Sequence, residues 1–190
     1  MFRTLFVALF ALSLQANAAV VDFNPASKTV NVGDTFMIEV EGSAFATNLD
    51  GGGLNLSFNP AVLQVLDVII DGTAWDFLPV KGIIDNVAGT VSATSFNQFS
   101  HPKLGSFPIL QYQFTAIAAG ASPLHLTEWG DNPFASGGDH VAVNFLDGLV
   151  TVTAVPEPST GLMFAAGLLV ALGKLRGRWA RQRAGQTLSR

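Results

Sequence analysis

From Val20 to Val152 apolar and polar residues alternate in short bursts, separated by Gly, Asn, Asp and Pro. In Thr35-Phe36-Met37-Ile38-Glu39-Val40-Glu41, Phe36, Ile38 and Val40 fall on one side of an extended chain, Glu39 and Glu41 on the other. That two-residue period marks a half-buried β-strand. Leu54-Asn55-Leu56-Ser57-Phe58 repeats it, as do Leu110, Tyr112 and Phe114 against Gln111, Gln113 and Thr115, and Leu124 and Leu126 against His125 and Thr127. Further strands are predicted at 20–23, 63–70, 91–96, 141–145 and 150–152, about nine or ten in all. Turns are expected at Val32-Gly33-Asp34, Asp50-Gly51-Gly52-Gly53, Asn59-Pro60, Asp71-Gly72, Ala119-Gly120, Gly137-Gly138-Asp139 and Asp147-Gly148. Helical periodicity is missing apart from a single turn around 60–63. The pattern predicts an all-β, antiparallel sandwich.

The two ends follow other rules. Arg3 precedes an apolar run over 5–14 and the small-x-small triplet Ala16-Asn17-Ala18, the layout of a secretory signal peptide cleaved after Ala18. A run of ten residues is too short to span a bilayer. At the other end Val155-Pro156-Glu157-Pro158-Ser159 leads into the uncharged stretch 161–173 and then Lys174, Arg176, Arg178, Arg181 and Arg183. The prolines keep a helix from starting before Ser159, a suitable N-cap with Thr160. A helix over 159–175 would be about 25 Å long at roughly 1.5 Å per residue, a little short of the roughly 30 Å hydrocarbon core. Lys and Arg snorkelling makes it membrane-compatible all the same.

Proline hinge, short apolar helix and basic stop, in this order, resemble the PEP-CTERM sorting signal of Gram-negative bacteria that make extracellular polysaccharide. The resemblance implies recognition of Pro156-Glu157-Pro158 by an exosortase, a membrane-embedded protease-transpeptidase, and processing nearby. A plain C-terminal anchor is the alternative, and the Pro-Glu-Pro directly before the helix favours sorting. The chain is thus expected to comprise a signal peptide (1–18), an exported domain (19–154), the sorting signal (155–183) and a polar tail (184–190). Its basic end would stay cytoplasmic. Sec and signal peptidase would be its first partners, the inner membrane a transient one, and the cell surface or extracellular matrix its destination.

Charge sharpens this picture once the ends are set apart. Between 19 and 154 only Lys28, Lys81 and Lys103 oppose thirteen acids, a net charge of −10. Such a surface disfavours nucleic acid and anionic membranes as partners. No cysteine is present, so stability must come from packing. A domain of this length can bury roughly two-thirds of its unfolded surface.

Several local patterns narrow the sandwich: Val32-Gly33-Asp34-Thr35-Phe36 opening a strand, Phe58-Asn59-Pro60-Ala61-Val62-Leu63 turning between two, Leu110-Gln111-Tyr112-Gln113-Phe114, and a closing Asp147-Gly148-Leu149-Val150-Thr151-Val152. In this order they resemble a cohesin-type domain, a jelly-roll β-sandwich known from cellulosome scaffolds, where it binds dockerin modules. The resemblance implies a non-enzymatic binding module with a dockerin-like protein as partner, and it transfers no binding residue. Exopolysaccharide is the other expected partner, as for an exported surface or matrix protein. A carbohydrate-binding module serving polysaccharide degradation is the alternative function.

Candidate chemistry is sparse. His101, His125 and His140 lack metal-ligand spacing. Ser100-His101 and Asp139-His140 sit in no nucleophile motif. No catalytic residue and no metal ligand are assigned. Asp50, Asp131, Asn132 and Asp139 lie among glycines where weak calcium binding is conceivable, but turn geometry explains them equally. Trp75, Phe77 and Trp129 are either core or an aromatic platform for sugar rings, with core favoured in a domain of this kind.

Overall fold

The structure is a computed structural model and describes residues 18–100, 102–155, 164 and 167–169. Ala16, Pro156, Glu157, Pro158, Lys174, Arg176, Arg178, Arg181, Arg183 and His101 lie outside the described residues; Ala18 is described and exposed. Two compact units divide the chain, Met1–Ala154 and Val155–Arg190. In the second, Phe164 and residues 167–169 are helical and exposed. Among the described residues no helix is long and apolar enough to cross a membrane.

In the first unit the described residues form β1 (Ala19–Asn24), β2 (Ser27–Asn31), β3 (Thr35–Leu49), β4 (Gly51–Ser57), β5 (Leu63–Ile69) and β6 (Ile83–Asp85). Then come β7 (Thr90–Asn97), β8 (Lys103–Ala116), β9 (Gly120–Glu128), β10 (Ala135–Ser136), β11 (Asp139–His140), β12 (Val143–Phe145) and β13 (Gly148–Thr153). One sheet runs β12-β1-β3-β8-β5. The other runs β2-β13-β9-β4, with β7 and then β6 on the far side of β4 and the β10–β11 hairpin against its first residue.

Alternation places the core where the sequence pattern puts it. Ile38, Val40, Tyr112 and Phe114 from one sheet face Leu54, Leu56, Leu124 and Leu126 from the other, all buried. Phe36 stacks on Phe114 with centroids 5.6 Å apart, and Phe58 meets Phe114 edge-on at 6.1 Å. Toward Gly51, Trp75 meets Phe96 at 4.8 Å and Phe107 at 6.0 Å, while Phe134 meets Phe96 at 5.5 Å. Each such ring removes a large apolar area from water, about 1.5–3 kcal/mol for a side chain of this class. Burial pushes the Tyr112 phenol above its ordinary range, so it stays neutral.

Three expectations need correction. The sandwich is not purely antiparallel: β1 pairs with β12 and β2 with β13 in parallel. The first and last segments both pass from one sheet to the other, side by side, and antiparallel patterning cannot reveal that. At the crossing Leu149 N–H donates to the Ala26 carbonyl, and the Phe23 ring occupies the place a Gly148 side chain would need. Secondly, Asp50-Gly51-Gly52-Gly53 is no turn, since Gly51, Gly52 and Gly53 are the buried first half of β4. Thirdly, β3 and β8 run to 15 and 14 residues, well past the alternating segments, because bulges re-register them. One bulge is read directly in Ile109 and Leu110, consecutive and both buried, set between the pairs Val40–Leu110 and Glu41–Pro108. The turn at 60–63 is as expected, with Val62 and Leu63 N–H donating to the Asn59 carbonyl.

Phe114→Ala should cost about 3–5 kcal/mol, the usual range for a buried Phe. Its neighbour Gln113→Ala should cost little, since that side chain is only half-buried on the outer face. Gly52→Ala should cost about 1–3 kcal/mol, because its Cβ would sit 2.9 Å from the Phe134 ring. Urea melts of the three variants check this; a wild-type midpoint for Gly52→Ala would mean Phe134 can move aside.

Candidate docking face

The outer faces of the two sheets differ in kind. On the five-stranded sheet, register pairs Asp22 with Glu41 and Glu39 with Gln111, and Asp67 with Gln113 further along. Lys81 reaches Asp67 at 2.7 Å, and the Gln111 amide donates to Glu39 at 2.9 Å. Asp22 is held above its ordinary value, first by burial and then by the Glu41 charge; Asp67 is held below by the Lys81 hydrogen bond.

The opposite face is nearly free of net charge. Its outward positions are Thr90 and Ser92 on β7, Asn55 and Ser57 on β4, Pro123, His125 and Thr127 on β9, and Leu149 and Thr151 on β13. His125 sits outward, as its alternation predicts, and pairs with Asp147. Asp85, at the β6 margin, spends its carboxylate on the backbone N–H groups of Val87 and Ala88, both at 2.9 Å. Apart from Lys81, which is turned to Asp67, that margin exposes apolar side chains: Leu78, Val80, Ile83 and Val87 are 71%, 50%, 68% and 92% exposed. Among the described residues these leucine, valine and isoleucine side chains stay largely uncovered, the kind of exposed apolar surface that marks a contact site.

Asn55 fixes the centre of the face. Ser92 and Ala93 bulge opposite it, with Ala93 at φ 58°, and its side-chain oxygen accepts the Ala93 N–H at 3.0 Å. Its amide also donates to the Glu128 carbonyl at 3.3 Å on the other neighbour. One short side chain thus ties three strands together.

At the far end of this face the three glycines of β4 let neighbours close in. A Cβ on Gly51 would strike Asn97, one on Gly52 the Phe134 ring, and one on Gly53 the Trp129 ring at 2.8 Å. The predicted aromatic platform therefore divides. Trp75 is core and Trp129 lies half-buried over Gly53, while Phe77 is exposed and pairs with Phe99, centroids 4.2 Å apart. Phe99 escaped the sequence reading because it follows a strand with no alternation to mark it.

The calcium candidates are partly brought together. Asp50 meets the Gly137 N–H at 2.6 Å, so its carboxylate caps the β10–β11 hairpin rather than facing other acids. No group of three His, Cys, Asp or Glu suited to a metal ion occurs among the described residues. His140 faces Glu128 at 3.2 Å, and Glu128 also accepts the Phe134 N–H.

No family model and no curated protein matches the chain. Solved structures do. The chain is similar to the cohesin CaCohA2 of Clostridium acetobutylicum at 19% identity and TM-score 0.55, over 74% of this chain and 94% of that one. It is similar to a non-cellulosomal cohesin of Archaeoglobus fulgidus at 16% and 0.56, over 72% and 90%. A Clostridium thermocellum OlpC cohesin, solved in a type I cohesin–dockerin complex, gives 12% and 0.58, over 73% and 95%. At such identities the likeness establishes the fold: the sandwich is cohesin-like.

Because burial and Glu41 raise the Asp22 pKa in the folded state, folding favours its protonated form. Stability should then fall as pH rises through the ordinary value of 3.8 toward the raised one. Asp22→Asn should raise the melting temperature at pH 7 and lose that advantage below about pH 3.8. Thermal melts of both proteins across pH 3–7 check the sign, and an equal gain at both ends would exclude the carboxylate as its source.

Proposed function

We propose that residues 19–154 are a protein-docking module of an exported, non-enzymatic surface or matrix protein, delivered by the signal peptide and processed by an exosortase at Pro156-Glu157-Pro158. The observation that carries the docking reading is the neutral, hydroxyl- and amide-lined sheet face with its apolar margin, on a domain of net charge −10. Interface centres are depleted in charge and enriched in apolar contact, and a sheet whose strands are pinned together by Asn55 gives such a contact a preformed shape. The cohesin-like fold supports the reading, since the OlpC cohesin was solved with a dockerin bound. A dockerin-like helical domain is the partner class this favours. Sorting rests on the sequence of the C-terminal signal and export on that of the N-terminal one. Together they would place the module outside the cell.

Two measurements test the parts separately. Intact-mass analysis of the protein from its native host should find a mature chain beginning at Ala19 and ending near 156–159; a mature form retaining Trp179 would leave only a plain anchor. For docking, exported host proteins retained by the wild-type chain should be lost with Ile83→Asp or Thr127→Arg and kept with Gln113→Arg on the acidic face. Equal loss with all three would remove the assignment to this face.

A further inference from the structure

We propose that the pocket at the Gly51 end of the neutral face is a subsite for one uncharged pyranose ring of a polysaccharide. The pocket holds about 260 Å³ and is lined by Asp50, Gly51, Phe77, Asn97, Phe99 and Asn132 among others. That is room for a single sugar ring rather than a drug-sized ligand.

Its aromatic wall has no structural use that the fold explains. Phe99 is 75% exposed and leans on Phe77, itself 40% exposed, instead of entering the core a few residues away. The main chain that carries both rings is anchored: the Phe77 N–H donates to the Asn97 carbonyl at 3.0 Å, and the Phe99 N–H to the Asp76 carboxylate at 3.0 Å. Two exposed rings in mutual contact present an apolar slab that the C–H face of a pyranose can cover.

Polar groups beside the slab supply what sugar hydroxyls need. The Asn132 amide donates to the Gly52 carbonyl at 2.8 Å and to the Asn97 side-chain oxygen at 3.3 Å. Among the described residues no acceptor takes the Asn97 NH₂, which offers a pair of donors. Asp50 accepts the Gly137 N–H through Oδ2, leaving Oδ1 as an acceptor. Adjacent hydroxyls of one ring both donate and accept, and so match a carboxylate oxygen and an amide NH₂ together. Gly51 makes this possible, since a Cβ there would lie 2.2 Å from the Asn97 side-chain oxygen. A purely apolar ligand would leave these groups unpaired. A uronate or phosphate would meet the Asp50 charge. Neutral sugar is the class that satisfies the whole lining. This inference is independent of protein docking, which uses the middle of the face and the β6 margin.

Saturation-transfer NMR tests it on the full chain, kept in solution with a detergent that carries no sugar. Neutral gluco-, galacto- and manno-oligosaccharides are compared with oligogalacturonate. At least one neutral oligosaccharide should bind with a Kd of about 1–10 mM, as expected of a shallow single-ring site. Phe99→Ala should weaken it at least tenfold, Phe99→Trp should restore it, and Ile83→Asp should leave it unchanged. Phe99 is exposed, so an unchanged melting temperature would separate lost contact from lost fold. Absence of transfer to every neutral sugar, equal or tighter binding of the uronate, or indifference to Phe99→Ala in a folded protein would each overturn the proposal.

Discussion

Three consecutive glycines on β4 are the constraint from which the rest of this domain is arranged. Along an extended strand their missing side chains point alternately in and out. Inward, Gly52 admits the Phe134 ring, which joins Phe96, Phe45 and Phe145 in one aromatic cluster. Outward, Gly53 admits Trp129, and Gly51 lets the Asn97 side chain lie across the sheet. A glycine run costs conformational entropy and is intrinsically poor in a strand. The compensation is large aromatic burial on one side and, on the other, close approach of Trp129 and the Asn97 side chain to the strand. Core and candidate site are thus two consequences of the same three residues.

The second organising feature is the paired crossing of the chain ends between sheets. β1 and β2 belong to different sheets, as do β12 and β13, and the two breaks lie together where Phe23 covers Gly148. Each sheet therefore holds both a first and a last segment, bonded in parallel. Pulling on one end loads contacts in both layers at once. In a domain without disulfides these hydrogen-bonded pairings tie segments far apart in sequence into both layers.

Most of the fold was legible because alternation is local. Phe36, Ile38 and Val40, or Leu124 and Leu126, declare their inward side within a few residues, and the structure buries all five. Three things were not legible, each for a non-local reason. Parallel pairing joins residues more than a hundred positions apart, such as Val20 with Asn144. The bulges of β3 and β8 break the period that would reveal them. The Gly51–Gly53 strand carries no side chains to alternate and so imitates a turn, when its environment is set by Phe134 and Trp129 about eighty residues later. The candidate face suffered in the same way: Asn55 looked like one outward strand residue among several, and only the register shows it bridging β7 and β9.

Charge is distributed over the sandwich in a way that bears on its use. Folding alone does not require Asp22 and Glu41 to face each other; the Asp22 pKa is raised first by burial and then by the Glu41 charge, both of which disfavour its ionised form. A domain with net charge −10 could relieve such repulsion by spreading acids over both faces. Instead Asp22, Glu39, Glu41 and Asp67 crowd the outer face of one sheet; on the other, Asp85, Glu128 and Asp139 lie at strand ends and margins, and Asn55, Ser57, Thr127 and His125 hold the centre. Like charges kept on one side repel other copies of the chain and anionic polymers there, and favour solubility. The uncharged side stays free of the desolvation cost that burying a carboxylate would impose on binding. Repulsion tolerated on one face is what leaves the other suited to contact.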